Sequence, residues 1–426
     1  MASGIARIKG IVLAGLAVFG PVSTATAQDT VRPDETYDRG NNQGVRDREQ
    51  PEFESVGIPL GGFRLYPRAG AEVEWNDNVY AEDEANDPDE DLAYTMSVGA
   101  RLASQWGRHS LSFEGAIADT EYQDLDENID PFWNLGGEAR LEIKEGTDAV
   151  VRANFIDTYE QRGVNDFTDT ADPIHYDELD GMARLSHRLN RIVVTGEVDY
   201  SKVDFDDGFD FRDRTAVELI ARADWSYSPT TSFFVEGAQR WNDFEVESVD
   251  PRDYERSRWL IGSAFDITNL VRGEIGLGYS WVSYDNPTAP DFDGYAARAS
   301  VDWFITRLTT LNVAASRDVA DAGDPSAASR LVTSAGVRVD HELLRNVILW
   351  GRAGWAEEEY QGDVLGLAVF DRTDEIVSGS FGCDWLVNRW ASVRARYTRT
   401  ERTSEGVNRF RDYEQNRAVL GITLRR

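Results

Sequence analysis

The sequence predicts an all-β protein: a transmembrane antiparallel up-and-down β-barrel of about eighteen strands, with sixteen as the alternative count. Three observations predict it. Runs of alternating apolar and polar residues recur along the chain, and they are joined by turns and long acidic loops in alternation. A leader for export precedes them, and no later run is apolar for the roughly 18 residues a spanning helix needs. A soluble sandwich also alternates, but it requires neither the leader, nor unequal loops, nor ring side chains at both strand ends.

Three regions are expected. In residues 1–27, Arg7 and Lys9 precede an apolar stretch from Ile11 to Gly20, and Ala25-Thr26-Ala27 offers small residues for cleavage, so this segment reads as a signal peptide. Residues 28–62 are polar and lack periodicity, as a flexible periplasmic tail would. Residues 63–426 are the barrel. The formal charge of −32 becomes −34 when Arg7 and Lys9 leave with the signal peptide, which excludes nucleic acid as a partner.

The first strand shows the pattern. Phe63, Leu65, Pro67, Ala69, Ala71, Val73 and Trp75 share one face, while Arg64, Arg68, Glu72 and Glu74 share the other. Further strands are expected to begin near 92, 109, 132, 148, 176, 191, 213, 232, 255, 271, 294, 308, 328, 347, 373, 389 and 412. Short connections such as Lys144-Glu145-Gly146-Thr147, Arg188-Leu189-Asn190-Arg191 and Ser228-Pro229-Thr230-Thr231 carry tight-turn residues. Long acidic ones, including Asn76 to Asp91, Arg162 to Pro173, Glu357 to Gly366 and Glu401 to Arg409, alternate with them. Short turns inside and long loops outside would put both termini in the periplasm.

One face of most strands is free of charge, as in Val271, Gly273, Ile275, Leu277, Tyr279 and Trp281. An arginine facing mid-bilayer lipid costs about 2–4 kcal/mol, so hydrocarbon accounts for that clean face. Rings gather near both strand ends, Trp75, Trp133, Trp259 and Trp281 toward the loops and Trp106, Trp225, Trp303 and Trp385 toward the turns. Two such bands match the girdles of a barrel in the outer membrane of a Gram-negative bacterium.

The opposite face holds the candidate functional residues: Arg64, Arg68, Arg101, Arg140, Arg152, Arg184, Arg222, Arg240, Arg298, Arg338, Arg352, Arg394 and Arg396, interleaved with nearly as many acids. Guanidinium groups grip carboxylate and phosphate with two prongs, so these residues could form a track for an anionic solute or polymer. Equally, cross-strand Arg–Glu pairs could simply solvate a lumen that eighteen strands leave too wide to fill. No cofactor or metal is expected, because His109, His175, His187 and His341 are scattered and the acidic loops lack calcium-loop spacing. No enzyme is expected either: no nucleophile, base and orienting group converge at one level of the wall. The single cysteine, Cys383, excludes an internal disulfide and reads as a lipid-facing side chain.

The stretch from Pro67 through Trp75-Asn76-Asp77-Asn78-Val79-Tyr80 resembles the opening of the outer-membrane β-barrel porins associated with exopolysaccharide and capsule gene clusters. The resemblance implies a barrel that takes part in polysaccharide secretion. Its partners would be outer-membrane lipid and lipopolysaccharide, the polysaccharide itself and periplasmic export components. The alternatives are a general or anion-selective diffusion porin, and a structural or adhesive surface barrel acting through its loops.

Overall fold

The structure, a computed structural model, describes residues 43–125, 129–160, 173–206, 208–245, 252–268, 270–286, 289, 291–324, 326–363 and 371–426. The proposed signal peptide and the first part of the tail lie outside the described residues.

A short strand, β1 (Ile58–Leu60), precedes eighteen long ones. These are β2 (Phe63–Asn76), β3 (Asp91–Ser104), β4 (Ser110–Tyr122), β5 (Phe132–Lys144), β6 (Thr147–Tyr159), β7 (His175–Leu189), β8 (Ile192–Phe205), β9 (Arg214–Ser228) and β10 (Thr231–Phe244). They continue with β11 (Tyr254–Ile267), β12 (Val271–Tyr284), β13 (Phe292–Thr306), β14 (Thr309–Asp321), β15 (Ala327–Leu344), β16 (Val347–Asp363), β17 (Thr373–Leu386), β18 (Ala391–Glu405) and β19 (Tyr413–Arg425). Each pairs antiparallel with its sequence neighbours, and β19 closes on β2 from Arg417↔Asn76 to Arg425↔Arg68. The result is a closed eighteen-stranded barrel, and sixteen strands is excluded. Closure leaves no free edge, as a sheet within hydrocarbon requires. No helix among the described residues is long and apolar enough to cross a membrane.

Each expected strand start falls within two residues of the observed one. Two loop boundaries are corrected. Glu357, Glu358 and Glu359 belong to β16 and pair with Glu375, Asp374 and Thr373. Likewise, Glu401 to Glu405 lie in β18, opposite Val377 to Thr373. The physical reason is that ladder hydrogen bonds continue past the hydrocarbon, where water accepts charge on either face. The turns behave as their residues require: Gly146 (φ 74°) and Asn190 (φ 58°) supply left-handed backbone in two hairpins.

Burial is inverted relative to a water-soluble protein. Large apolar side chains such as Ile261, Met96 and Phe381 are more than 60% exposed on the outer face, while Glu236 and Asp374 are at most 1% exposed within. An apolar cluster of Tyr254, Val282, Tyr284, Val319 and Leu331 sits toward the loop ends of β11, β12, β14 and β15. The described part of the tail, 43–62, is docked. Val45 is buried, and β1 pairs with β2 through Ile58↔Leu65 to Leu60↔Phe63.

Candidate functional site

Strand alternation carries all thirteen candidate arginines to the face opposite the apolar belt, but their surroundings divide the wall into sectors. On β9–β14 the charges are mutually satisfied. Arg222 donates to Asp224 at 2.8 and 2.9 Å, to Glu274 at 2.8 and 3.1 Å, and to Glu236 at 3.4 Å. Arg298 bridges Glu236 at 2.9 Å and Glu274 at 2.9 Å. Next to them Arg256 reaches Glu218 at 3.1 Å and Asp318 at 3.0 Å, and Arg258 also binds Asp318. Arg240 lies 3.9 Å from Glu218 and 3.8 Å from Asp321, the latter also taken by Arg214 at 2.9 Å.

Packing supports this network. The Arg222 guanidinium lies 3.9 Å from the Phe234 ring centroid, a cation–π contact. The ring in turn packs over Gly262 and Gly276 on the next two strands. An added Cβ at Gly276 would come within 3.0 Å of Phe234 Cζ. Alternating charges that hold one another in a buried layer are costly to disturb, because removing one leaves its partner desolvated and unpaired.

The sector running from β15 through the β19–β2 seam to β4 is different. Arg338 and Arg352 stand directly opposite each other, two like charges in register. Arg338 is held by Asp340 at 2.8 Å, whereas Arg352 faces Ser380 on its other side. Among the described residues no carboxylate lies within ion-pair distance of Arg352, Arg68 or Arg101, although Glu114 stands opposite Arg101 in register. Arg394 pairs with Asp384 at 2.8 Å, and Arg396 reaches Glu74 only at 3.9 Å. Arg64 donates to the Val56 carbonyl at 2.7 Å. These arginines lie in the turn-side half of their strands.

The remaining candidates lie on β5–β7. Arg152 pairs with Glu138 at 2.8 Å, Arg184 with Glu197, and Arg140 stands between Ser110 and Val150. Here acids outnumber arginines: Glu178 and Asp180 on β7 and Glu197 and Asp199 on β8 face inward around Arg184. Around the turn-side half of the seam the lumen is thus richer in arginine than in acid, although Glu72, Glu74 and Glu114 share that wall; it is neutral across β9–β14 and acidic on β7–β8.

The Trp75 to Asn78 motif has a structural role. Trp75 and Asn76 end β2, and Asn76 Oδ1 accepts from the Asn78 N–H at 3.1 Å, which turns the chain. Asp77 then accepts from the Asn416 backbone N–H and side-chain amide, both at 2.6 Å. Asn78 donates to the carbonyls of Glu82 at 2.7 Å and Glu414 at 2.8 Å, and its own carbonyl accepts from Gln415 at 2.7 Å. The motif latches the first strand to the last, at the one seam that no hairpin joins.

Sequence reasoning missed Arg256, which shares the inward face with Arg258, and it missed the tail's anchors. Arg46 donates to Asp340 at 2.6 Å and to Asp384 at 2.7 Å, and Arg48 donates to Glu342 at 2.6 Å. Burial works against the Arg46 charge, but Asp384 and Asp340 outweigh it and hold its pKa above the ordinary arginine value. The only hint in the sequence is a lone Val45 beside arginines in an otherwise polar stretch. His187 and His341 bond Thr147 and Thr309 beside the short turns. No cluster of three or more metal-ligating side chains occurs among the described residues.

Comparison with known proteins follows the architecture. The chain is similar in fold to the outer membrane protein opdK of Pseudomonas aeruginosa, with 11% identity and a TM-score of 0.46 over 85% of this chain and 99% of that one. It is also similar to a BenF-like porin of Pseudomonas fluorescens Pf-5, with 12% identity and a TM-score of 0.47 over 86% of this chain and all of that one. Likeness at that level says nothing about solute. Among curated proteins none matches this chain. A family model, however, matches residues 50–426, nearly the whole described chain, and its description is that of a β-barrel porin. The chain therefore belongs to the family described as Putative beta-barrel porin 2.

Proposed function

We propose that this porin conducts small hydrophilic solutes bearing a carboxylate or phosphate, guided along the seam sector by its arginines. The observation that carries the reading is that Arg68, Arg101 and Arg352 face the lumen with no carboxylate within ion-pair distance among the described residues, Glu114 being the acid that stands opposite Arg101. A guanidinium in that state can exchange its water for a passing anion, whereas one already forked onto two acids cannot without breaking them. The acidic β7–β8 sector repels the same anion, so a field across the lumen orients the solute with its charge toward the seam. No energy source is needed for diffusion down a gradient.

An acidic surface polysaccharide would satisfy the same wall. That narrower reading, with periplasmic export components and lipopolysaccharide as partners, rests on the resemblance of Trp75 to Tyr80 to the polysaccharide-associated porins. We place the short turns, the cleaved leader's end and both termini of the barrel in the periplasm, following the loop asymmetry.

Reversal potentials in planar bilayers under a potassium chloride gradient test the conclusion. The native barrel is expected to prefer chloride, and Arg68→Gln/Arg101→Gln/Arg352→Gln to lose that preference several-fold. A native barrel that prefers potassium overturns it. In a deletion strain, unaltered surface polysaccharide would remove the narrower reading and leave the small-anion one standing.

A further inference from the structure

The segment 43–57 leaves the wall at β1 and returns to it far around the barrel. Gly57 starts the departure with a left-handed backbone (φ +67°), and a Cβ there would press Tyr66 Cε1 at 2.7 Å and Arg64 Cγ at 2.8 Å. The Phe53 carbonyl is held by Arg425 at 3.0 Å near the seam. At the other end the Val45 N–H donates to Thr310 Oγ1 on β14 at 3.0 Å, and Arg48 donates to the Arg307 carbonyl in the β13–β14 turn. The segment therefore crosses the turn-side mouth from β2 to β14. Beside it lies a cavity of about 1030 Å³, between Arg48 to Phe53 and the turns at Thr268 and Arg307.

The way the segment is held matters more than its position. Asp340 accepts from Arg46, but also from Arg338 at 2.8 and 3.0 Å. Asp384 accepts from Arg46, but also from Arg394 at 2.8 Å. Withdrawal of Arg46 would leave both carboxylates paired to a wall arginine, and Glu342 would pass to water at the mouth. Among the described residues, the one large apolar side chain fully buried at the far end is Val45. A clasp made of shared ion pairs can thus open without leaving a buried, unpaired charge on the wall, while β1 keeps the segment tethered to β2.

We propose that residues 43–57 are a displaceable strap across the turn-side mouth, hinged at Gly57 and clasped by Arg46 and Arg48, whose release widens the path for solute. The inference rests on the channel reading above and adds a gate to it. The test uses the full mature chain with Cys383→Ser, spin labels on Asp47→Cys and Arg345→Cys, and conductance of the unlabelled forms in planar bilayers. Arg46→Gln/Arg48→Gln is expected to lengthen and broaden the label separation and to raise conductance several-fold, as is deletion of 43–56 for conductance alone. An unchanged separation in the double variant overturns the clasp. A conducting barrel whose conductance is the same in all three forms overturns the gate but leaves the channel. Silence of every form, the strap-free one included, overturns the channel reading itself and the gate with it.

Discussion

On β9–β14, Arg222 touches three carboxylates and a ring; across the lumen, Arg352 faces another arginine and a serine. Both sectors come from the same alternation of apolar and polar residues, and both place arginine among acids in the sequence. The difference is whether an acid stands within reach of each arginine. A side chain on a tilted barrel strand meets its direct cross-strand partner and diagonal neighbours two residues away. On β9–β14 every such arginine has an acid in reach: Glu236 stands opposite Arg222 on one side and near Arg258 and Arg298 on the other, and where Arg240 faces Arg256 in register, Glu218, Asp318 and Asp321 surround the two. Along β15–β16 Arg338 likewise faces Arg352, but among the described residues no acid lies within ion-pair distance of Arg352. One sector becomes a buried filler that stiffens the wall, and the other keeps charge available to solute.

The most severe break of this contrast is Glu236→Ala. It removes the acid that Arg222, Arg258 and Arg298 share where Glu236 is only 1% exposed, and although Asp224, Glu274 and Asp318 remain, the buried layer is left with one positive charge uncompensated. Breaking a buried pair costs about 3–5 kcal/mol, so urea unfolding of the barrel in lipid should shift strongly to lower denaturant. A shift no larger than that of Arg352→Gln would mean that the two sectors do not differ in the way described.

A smaller effect is expected where the wall closes. Asp77→Ala removes the acceptor of two Asn416 hydrogen bonds, 339 positions away in sequence. A hydrogen bond to a charged acceptor contributes about 1.5–3 kcal/mol, and partial exposure at the rim puts this loss at the lower end. The loss should appear as faster amide exchange at the loop-side ends of β2 and β19, with the β9–β14 amides unaffected. Equal loosening of both sectors would show that the latch does not act locally.

These two residues also mark what could be read in advance. Strand starts were legible because hydrocarbon on one face and water on the other impose a period of two that no other environment imposes so strictly. The inward parity of the arginines followed from the same constraint. Their partners did not, because pairing depends on the stagger of neighbouring strands, which hydropathy does not encode. Asp77 carried a local signal, but its partner Asn416 lies in the last strand, so the motif read as a loop former. The tail looked unanchored because its composition is polar, yet at its far end Val45, Arg46 and Arg48 fasten it, each to strands about 300 residues away. Sequence proximity is informative about hairpins and silent about a clasp of that span.

The smallest expected change in stability carries the sharpest functional contrast. Arg352→Gln removes a charge that opposes Arg338 and has no carboxylate of its own among the described residues. Like charges in direct register are destabilising by up to about 1 kcal/mol, and the substitution relieves that while keeping a polar inward group. Unfolding should therefore stay within about 0.5 kcal/mol of the native barrel or move slightly toward greater stability. Chloride preference should nevertheless fall, since the fixed positive charge nearest Ser380 is gone. Arg298→Gln on the saturated wall should do the reverse, lowering stability with little change in selectivity, because its charge is already spent on Glu236 and Glu274. Measured together, the pair separates an arginine that holds the wall from one that addresses the solute. If both variants lose selectivity alike, the seam has no special part in conduction.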